Sequence, residues 1–516
     1  PVTQSVSIGP SSESDLLSLF LVITMALPLA VLLLVTFLLL SVFYVKRRYS
    51  YWARQKVPFS EPEFPYGSFK DINRKSLADF STDHYRRWRS TGTRFFGSFL
   101  FLEPLLTIVD LDLIKTVLIK DFNYFPDRGV FHNARDDPLS AHLFAIEGNP
   151  WRSLRTRLSP TFTSGKMKVM FSTLAAVGDS LSEFLVNEVG CGKDMQIKDV
   201  MARFTTDVIG SCAFGIECNS FKEPNSEFRK FGQLVFETPR HSLMMSLFLR
   251  LYPDAGKRLR IKSLRDECSE FFYKLVKNMM NYREKNEIER NDFLNMLIQL
   301  RKNEKQLSVE EIAAQSFIFF AAGFETSSSN QTFCLYELAL NQDCQEKARK
   351  CVLDAIKKYG GLTYEAVCDM PYLDQCINEI LRMYPSLSIL ERKAFQDYHI
   401  PDSNIVIPKG MKINIPVFAI HRDERYYPNP DVFDPDRFRP EEMAKRHLST
   451  FLPFGEGPRI CIGLRFGMLQ SRVGLATILS RFKVSPCEKT PIPVEFSNTA
   501  IVLQPKGAVW LKVEPL

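Results

Sequence analysis

The stretch Phe454-Gly455-Glu456-Gly457-Pro458-Arg459-Ile460-Cys461-Ile462-Gly463 sets one thiol in a loop punctuated by glycine and proline, just ahead of an apolar run with helical spacing. Glycines around a cysteine let backbone approach something flat. A loop that meets a helix start brings peptide N–H groups near the sulfur, and these favour a thiolate over a thiol. A thiolate in a rigid apolar loop can serve as an axial ligand to haem iron, where it pushes electron density toward the O–O bond of bound dioxygen. The alternative for any single cysteine is a buried, inert thiol. The complete spacing Phe-x-x-Gly-x-Arg-x-Cys-x-Gly favours the ligand.

Three other groupings carry chemistry. Phe317-Ile318-Phe319-Phe320-Ala321-Ala322-Gly323-Phe324-Glu325-Thr326 is an apolar helix centre that breaks abruptly into an acid and a hydroxyl. A buried carboxylate is costly unless it has a task. Small Ala322 and Gly323 leave room beside the backbone for a diatomic ligand, and Thr326 can hydrogen-bond back into its helix. Trp151 and Arg155 lie one helical turn apart, so both can donate to one carboxylate. Glu379 and Arg382 are an acid and a base one turn apart.

The elements that must position these groups can be read from pattern and caps. Ser308 with Glu311 forms a capping-box pattern and Asn341 is a stop, which predicts one helix over 308–340. At 1.5 Å per residue it spans about 48 Å, enough to cross the whole body. A helix begins at Trp151 and is limited by Pro160. Residues 95–102 and 105–109 read as short strands, and 125–147 as irregular. Residues 201–214 and 264–282 are amphipathic helices. Short strands follow in 393–420, irregular Pro- and charge-rich chain in 421–450, a last long helix at 465–483 and an alternating tail at 501–513. The fold class is mainly α with small β-sheets.

The chain has 516 residues and no Gly/Ser linker or repeat across 70–516, which predicts one large domain there. A net charge of +7 is modest for this size and does not indicate nucleic acid; its basic patches suit a membrane surface or an acidic protein partner. Eleven cysteines, without a Cys-x-x-Cys pair, argue against a disulfide framework and for a reducing compartment. Residues 16–45 carry no charged side chain, long enough to cross a membrane. Glu13 and Asp15 precede them; Lys46, Arg47, Arg48, Arg54 and Lys56 follow, so the body after the anchor faces the cytosol. Residues 1–15 are then a short luminal end, and 46–69 a basic, Pro-rich linker spacing the body from the bilayer. The apolar stretch 236–252 is either a second membrane contact or an ordinary buried helix pair.

The cysteine loop resembles the haem-thiolate signature of the cytochrome P-450 superfamily. Trp-x-x-x-Arg (151–155), Ala-Gly-x-Glu-Thr (322–326), Glu-x-x-Arg (379–382) and Pro435-Asp436-Arg437-Phe438 stand in that family's order before it. Ser159–Lys166, Asn291–Leu294 and Pro453–Arg459 are most similar to the animal xenobiotic-metabolising clan, within it to insect detoxification enzymes. The resemblance implies a single cytochrome P-450 fold over 70–516 with haem b bound by Cys461. It implies propionate contacts from Trp151, Arg155 and Arg392, and a haem environment including Ala322, Gly323, Phe454, Arg459 and Gly463. It implies that Thr326 holds the iron–oxygen species while Glu325 feeds protons through water, and that Glu379, Arg382 and Arg437 form a structural network behind the cysteine loop.

Candidate substrate contacts are Phe131, His132, Leu139, Phe317, Phe320, Ala321, Ser386, Leu387 and Ile501. The implied reaction is monooxygenation of a lipophilic small molecule: a xenobiotic, plant toxin, insecticide or endogenous lipid or steroid. No Gly-x-Gly-x-x-Gly accompanies a strand–helix unit, so NADPH acts only indirectly. Electrons then come from a separate NADPH-cytochrome reductase, with cytochrome b5 as a second donor, through a basic face near Arg152, Arg157 or Arg465. The implied location is the endoplasmic reticulum membrane, single-pass. A reductase-independent isomerase or dehydratase of the same fold and a haem sensor are the rival readings. The intact Glu325-Thr326 pair argues against the first, which needs no proton delivery, and a sensor would have little use for an oxygen groove.

Overall fold

The computed structural model describes residues 12–70, 74–189, 193–304, 307–498, 500 and 502–516. The chain forms two compact units. The smaller runs through Phe69 and takes in Gly97–Pro104; the larger comprises Lys70–Phe96 and Leu105–Leu516.

In the smaller unit, helix α1 (Ser12–Tyr49) exposes Leu32, Leu33, Phe37 and Leu39. Its Ala26–Tyr49 portion has mean hydropathy 2.7 and none of it is buried by protein, so it is long and apolar enough to cross a membrane. The Pro-rich stretch after it is pinned rather than free. Trp52 is buried and its Nε1 donates to Ser98 O at 3.0 Å. Ser60 N–H donates to Gly97 O at 2.9 Å, and Ser68 N–H to Phe99 O at 2.7 Å. Gly97 is glycine because a Cβ there would lie 2.5 Å from Trp52 Cδ1.

The larger unit is mostly helical. Helix α2 (Gly148–Leu158) is followed by a tight turn containing Pro160. Helix α3 (Ser164–Val189) is also apolar enough to span a bilayer, but Met167, Phe171, Leu174 and Leu181 bury its apolar side in the main core. Helix α4 (Ile197–Ile209) packs along helix α5 (Val309–Leu340). Ser308 and Glu311 close the expected capping box at the start of α5, and Asn341 ends it. Helix α6 (Pro371–Met383) carries Glu379 and Arg382. Helix α7 (Leu464–Leu479) begins three residues after Cys461.

The last helix is shorter than its sequence suggests. Residues Phe482–Pro486 are a strand that pairs antiparallel with Trp510–Pro515. Phe482 and Val484 are buried while Lys483 is exposed, a period of two that breaks the helix. In the other sheet, β1 (Glu103–Ile108) pairs Leu105, Leu106 and Thr107 in parallel with Lys412, Ile413 and Asn414. Antiparallel to the latter, β2 (Leu390–Lys393) sets Arg392 opposite Ile413 of β3 (Lys412–Ile415).

The 236–252 stretch divides its exposure. In the helix Leu243–Leu251, Leu249 is buried while Met244 and Met245 are exposed.

Candidate active site

Cys461 lies where the loop meets α7. Its N–H donates to Phe454 O at 2.9 Å, and Gly455 N–H donates to Leu452 O at 3.0 Å, closing the turn. Gly455 and Gly457 hold left-handed φ of 71° and 73°. A Cβ on Gly457 would stand 2.9 Å from the Leu118 carbonyl carbon and closer still to its oxygen. Cys461 is exposed and lines a cavity. Burial pushes the thiol above its ordinary range; a Gly463 backbone N–H, then Arg128 and Arg155, pull the other way.

One cavity brings Cys461, Phe454 and Gly463 together with Ala322, Gly323 and Thr326 of α5. Thr326 Oγ1 donates to Ala322 O at 2.6 Å, as its position suggested, without breaking the helix. Gly323 has a packing reason besides lining the cavity: a Cβ would come 3.1 Å from Ile209 Cγ1 and nearer to Cδ1, so α4 crosses α5 there. Ala322 is exposed and lines the cavity beside it. Glu325 points elsewhere. It is buried, its Oε1 accepts Ser329 Oγ at 3.2 Å, and it sits 3.5 Å from Lys198 Nζ.

The three expected substrate contacts on α5 face away from this cavity. At about 100° per residue, Phe319, Ala322, Thr326 and Asn330 share one face, and these four line the cavity. Phe317, Phe320 and Ala321 turn into an aromatic core instead. Phe320 is fully buried, with Phe228 at 4.8 Å and Phe272 at 5.0 Å between ring centroids. Leu139 belongs to the same core. Phe131 is half-buried near Gly256, and His132 Nδ1 lies 3.2 Å from Val130 O. Ser386 and Leu387 are half-buried; Ser386 O accepts Leu503 N–H. Ile501 lies outside the described residues. Phe162, Ile209, Phe293 and Phe319 line the cavity and were missed. Spacing from Thr326 could have found Phe319; the others come from distant helices and left no local signal.

A cluster of arginines stands near Cys461. Arg392 is buried and its charge is disfavoured, its pKa lowered to about 9 by burial and by Arg128. Its Nη1 donates to Glu391 O at 2.8 Å, and its Nε has no hydrogen-bond partner. Arg459 donates from Nε to Pro126 O at 2.7 Å; burial, then Arg128, lowers it to about 8. Arg128, which sequence reading missed, donates to Phe144 O and to Arg459 O and is lowered to about 10 by burial. The Trp151 ring lies 3.8 Å under the Arg459 guanidinium as a platform. Asp127, 3.5 Å from Arg459, is the carboxylate paired within the cluster.

Behind the loop, Arg382 grips Glu379 with two bonds of 2.7 and 2.8 Å, both side chains fully buried. Arg437 Nε joins at 3.4 Å. Arg382 also donates to His421 O and Pro430 O.

These features fit a haem. A surplus of buried guanidinium, with an unpartnered Arg392 Nε, suits a dianionic group. Gly463 has φ of −87°, and a Cβ added there would meet nothing within 4 Å, so glycine keeps a wall of the cavity flat. Among the described residues no cluster of His, Cys, Asp or Glu is disposed to hold a bare metal ion, so Cys461 offers a single ligand, as a porphyrin requires.

A cavity that sets Cys461 against a long helix fits an oxidoreductase of the haem-thiolate class. The cytochrome P450 family model matches residues 64–511, and the chain belongs to that family. It is similar to Cytochrome P450 6a2 of Drosophila melanogaster, 45% identical over 91% of this chain and 96% of the relative. Probable cytochrome P450 6a13 of the same fly is 46% identical over 94% and 99%. Cytochrome P450 6A1 of Musca domestica is 41% identical over 92% and 96%. The chain is thus an insect-type haem monooxygenase.

Proposed function

We propose that this protein oxygenates lipophilic foreign compounds from the cytosolic face of the endoplasmic reticulum, drawing electrons from an NADPH-cytochrome reductase. Cytochrome b5 is a second donor. The observation that carries this reading is the single cavity in which Cys461 and Thr326 sit among aromatic and aliphatic walls. α1 supports the membrane location, and the two flies' similar proteins support the class of enzyme.

Bound haem would supply the reductive activation of O₂, with one atom passing to substrate and the other leaving as water. The chain's own residues do the rest. The Phe454 carbonyl holds the Cys461 backbone, and Arg128, Arg155, Arg392 and Arg459 would hold the propionates. Thr326 donates to Ala322 O, which leaves its oxygen as an acceptor on the cavity side. Glu325, which Lys198 and Ser329 hold turned from the cavity, would feed protons to that hydroxyl through water. The apolar walls exclude water from the reacting carbon.

Reconstitution of haem-loaded protein with reductase and NADPH tests this. Compound-dependent O₂ uptake and an oxygenated product are expected from lipophilic compounds that shift the ferric spin state. A reduced, CO-bound spectrum without the red shift of a thiolate ligand would refute the haem-thiolate reading. Turnover without reductase would favour the isomerase.

A further inference from the structure

His421 belongs to none of the motifs that marked the family and does not line the cavity. It is fully buried and its ring stacks on Phe451 at 5.5 Å between centroids. Nε2 accepts the Leu452 N–H at 2.8 Å. An accepting nitrogen carries no proton, so the neutral ring is protonated on Nδ1. Nδ1 lies 3.2 Å from Arg382 O and donates to it. Burial and the Arg382 charge keep the ring neutral, its pKa lowered to about 3. In return, Arg382 Nη1 donates to His421 O at 2.9 Å.

A path of hydrogen bonds joined by short stretches of covalent chain follows. It begins at Glu379 and Arg382, crosses the His421 ring and reaches Leu452. The Leu452 carbonyl takes Gly455 N–H, and the Phe454 carbonyl inside that turn takes Cys461 N–H. We propose that His421 is a positioning residue for the cysteine ligand, transmitting the rigidity of the Glu379–Arg382 pair to the Leu452–Gly455 turn and so fixing the direction of the Cys461 sulfur. This rests on Cys461 being the haem ligand. It gives the buried acid–base pair a physical route to the Cys461 loop, which neither partner reaches by its own hydrogen bonds.

The test compares haem-loaded wild type with His421→Phe, His421→Gln and Val352→Ala. Val352 is a fully buried core residue of the helix Gln342–Tyr359 and serves as a control for lost stability. The readout is the fraction of reduced, CO-bound protein lacking the thiolate red shift, measured well below the thermal midpoint of each variant. His421→Phe keeps a ring on Phe451 but strands the buried Leu452 N–H. It is expected to raise the non-thiolate fraction about tenfold. His421→Gln offers an acceptor and a donor and should restore most of the thiolate form. Val352→Ala should lower the midpoint without changing the fraction. A His421→Phe fraction equal to that of Val352→Ala overturns the proposal. If His421→Phe yields no haem-loaded protein, hydrogen exchange of the Leu452 amide in wild type decides. Protection like that of α6 supports the proposal, and exchange as fast as an exposed loop overturns it. A wild-type protein with no red-shifted form removes the ligand reading itself, and the role of His421 with it.

Discussion

Three glycines surround Cys461 for three different reasons, and alanine at each separates them. At Gly457, alanine must hold φ near 73°, which costs roughly 1–2 kcal/mol for an L-residue. Its methyl would also meet the Leu118 carbonyl, with the carbonyl carbon at 2.9 Å, and overpacking of this kind adds about 1–3 kcal/mol. Together these amount to about 2–5 kcal/mol. At Gly455 the φ is similar, 71°, but the nearest atom is Leu390 Cδ1 at 3.8 Å, so only the backbone term of roughly 1–2 kcal/mol remains. At Gly463 the φ is −87° and nothing lies within 4 Å, so the loss is under about 1 kcal/mol, that of a poorer helix cap. Haem content should follow a different order. Gly463→Ala puts its methyl into the cavity and should lose haem while the folded chain keeps its urea midpoint. Gly455→Ala should keep haem with a modestly lowered midpoint. The assays are urea unfolding by tryptophan fluorescence and haem per purified chain. A Gly457→Ala midpoint equal to that of Gly455→Ala would refute the Leu118 contact. Full haem content in Gly463→Ala would refute the flat wall.

Glu379→Gln strands the fully buried Arg382 charge and should cost about 3–5 kcal/mol, read as a lowered urea midpoint and loss of soluble haem-loaded protein. A midpoint unchanged within about 1 kcal/mol contradicts this. Thr326→Ala should retain haem but divert reducing equivalents to hydrogen peroxide; peroxide and product are measured per NADPH, and tight coupling would sink the role given to the hydroxyl. Arg152→Glu changes an exposed side chain bonded to Asn123. It should slow reductase-driven turnover and spare a peroxide-driven reaction, whereas equal loss in both refutes the docking face. Lys412 is buried, donates to Gly129 O and Arg250 O, and has its pKa lowered to about 6 by burial, then by Arg250 and Lys393. The unfolded chain keeps this proton up to about pH 10 and the folded chain releases it near 6, so stability rises with pH between the two. The slope is on the order of 1 kcal/mol per pH unit, and Lys412→Met should flatten it between pH 7 and 9; equal slopes count against a neutral buried lysine.

Local chemistry made much of the fold legible. Ser308, Glu311 and Asn341 marked the ends of α5 because caps act on the nearest backbone, and the cysteine loop was readable because its glycines serve turns within ten residues. The phase of α5 was not. Its centre is apolar on every side, so hydropathy could not say whether Phe319 or Phe320 meets the cavity; packing against Phe228 and Phe272 decides it. The fate of Glu325 was equally hidden, because Lys198 is remote in sequence and reaches it only once α4 lies along α5. The end of α7 was misplaced because Phe482 and Val484 can continue a helical stripe as well as begin a strand.

The arginines show why a site can be larger than its motifs. Arg155 and Arg392 each stand near a recognisable pattern, but Arg128 lies alone in irregular chain and only the fold brings it to Phe144 O and Arg459 O. Arg128 lowers both Arg392 and Arg459, and Arg392 lowers Arg459 in turn. Asp127 offsets part of that repulsion, yet burial holds its own carboxyl above the usual range. Carbonyls of Pro126, Phe144, Ile146 and Glu391 satisfy hydrogen bonds without supplying a net negative charge. A cluster of buried cations of this kind suits a dianion. The haem propionates would supply two negative charges there, so binding of haem and rigidity of the Cys461 side of the pocket are expected to rise together. Neutralising Arg128 as Arg128→Gln should therefore relieve the haem-free chain even as it weakens its hold on haem.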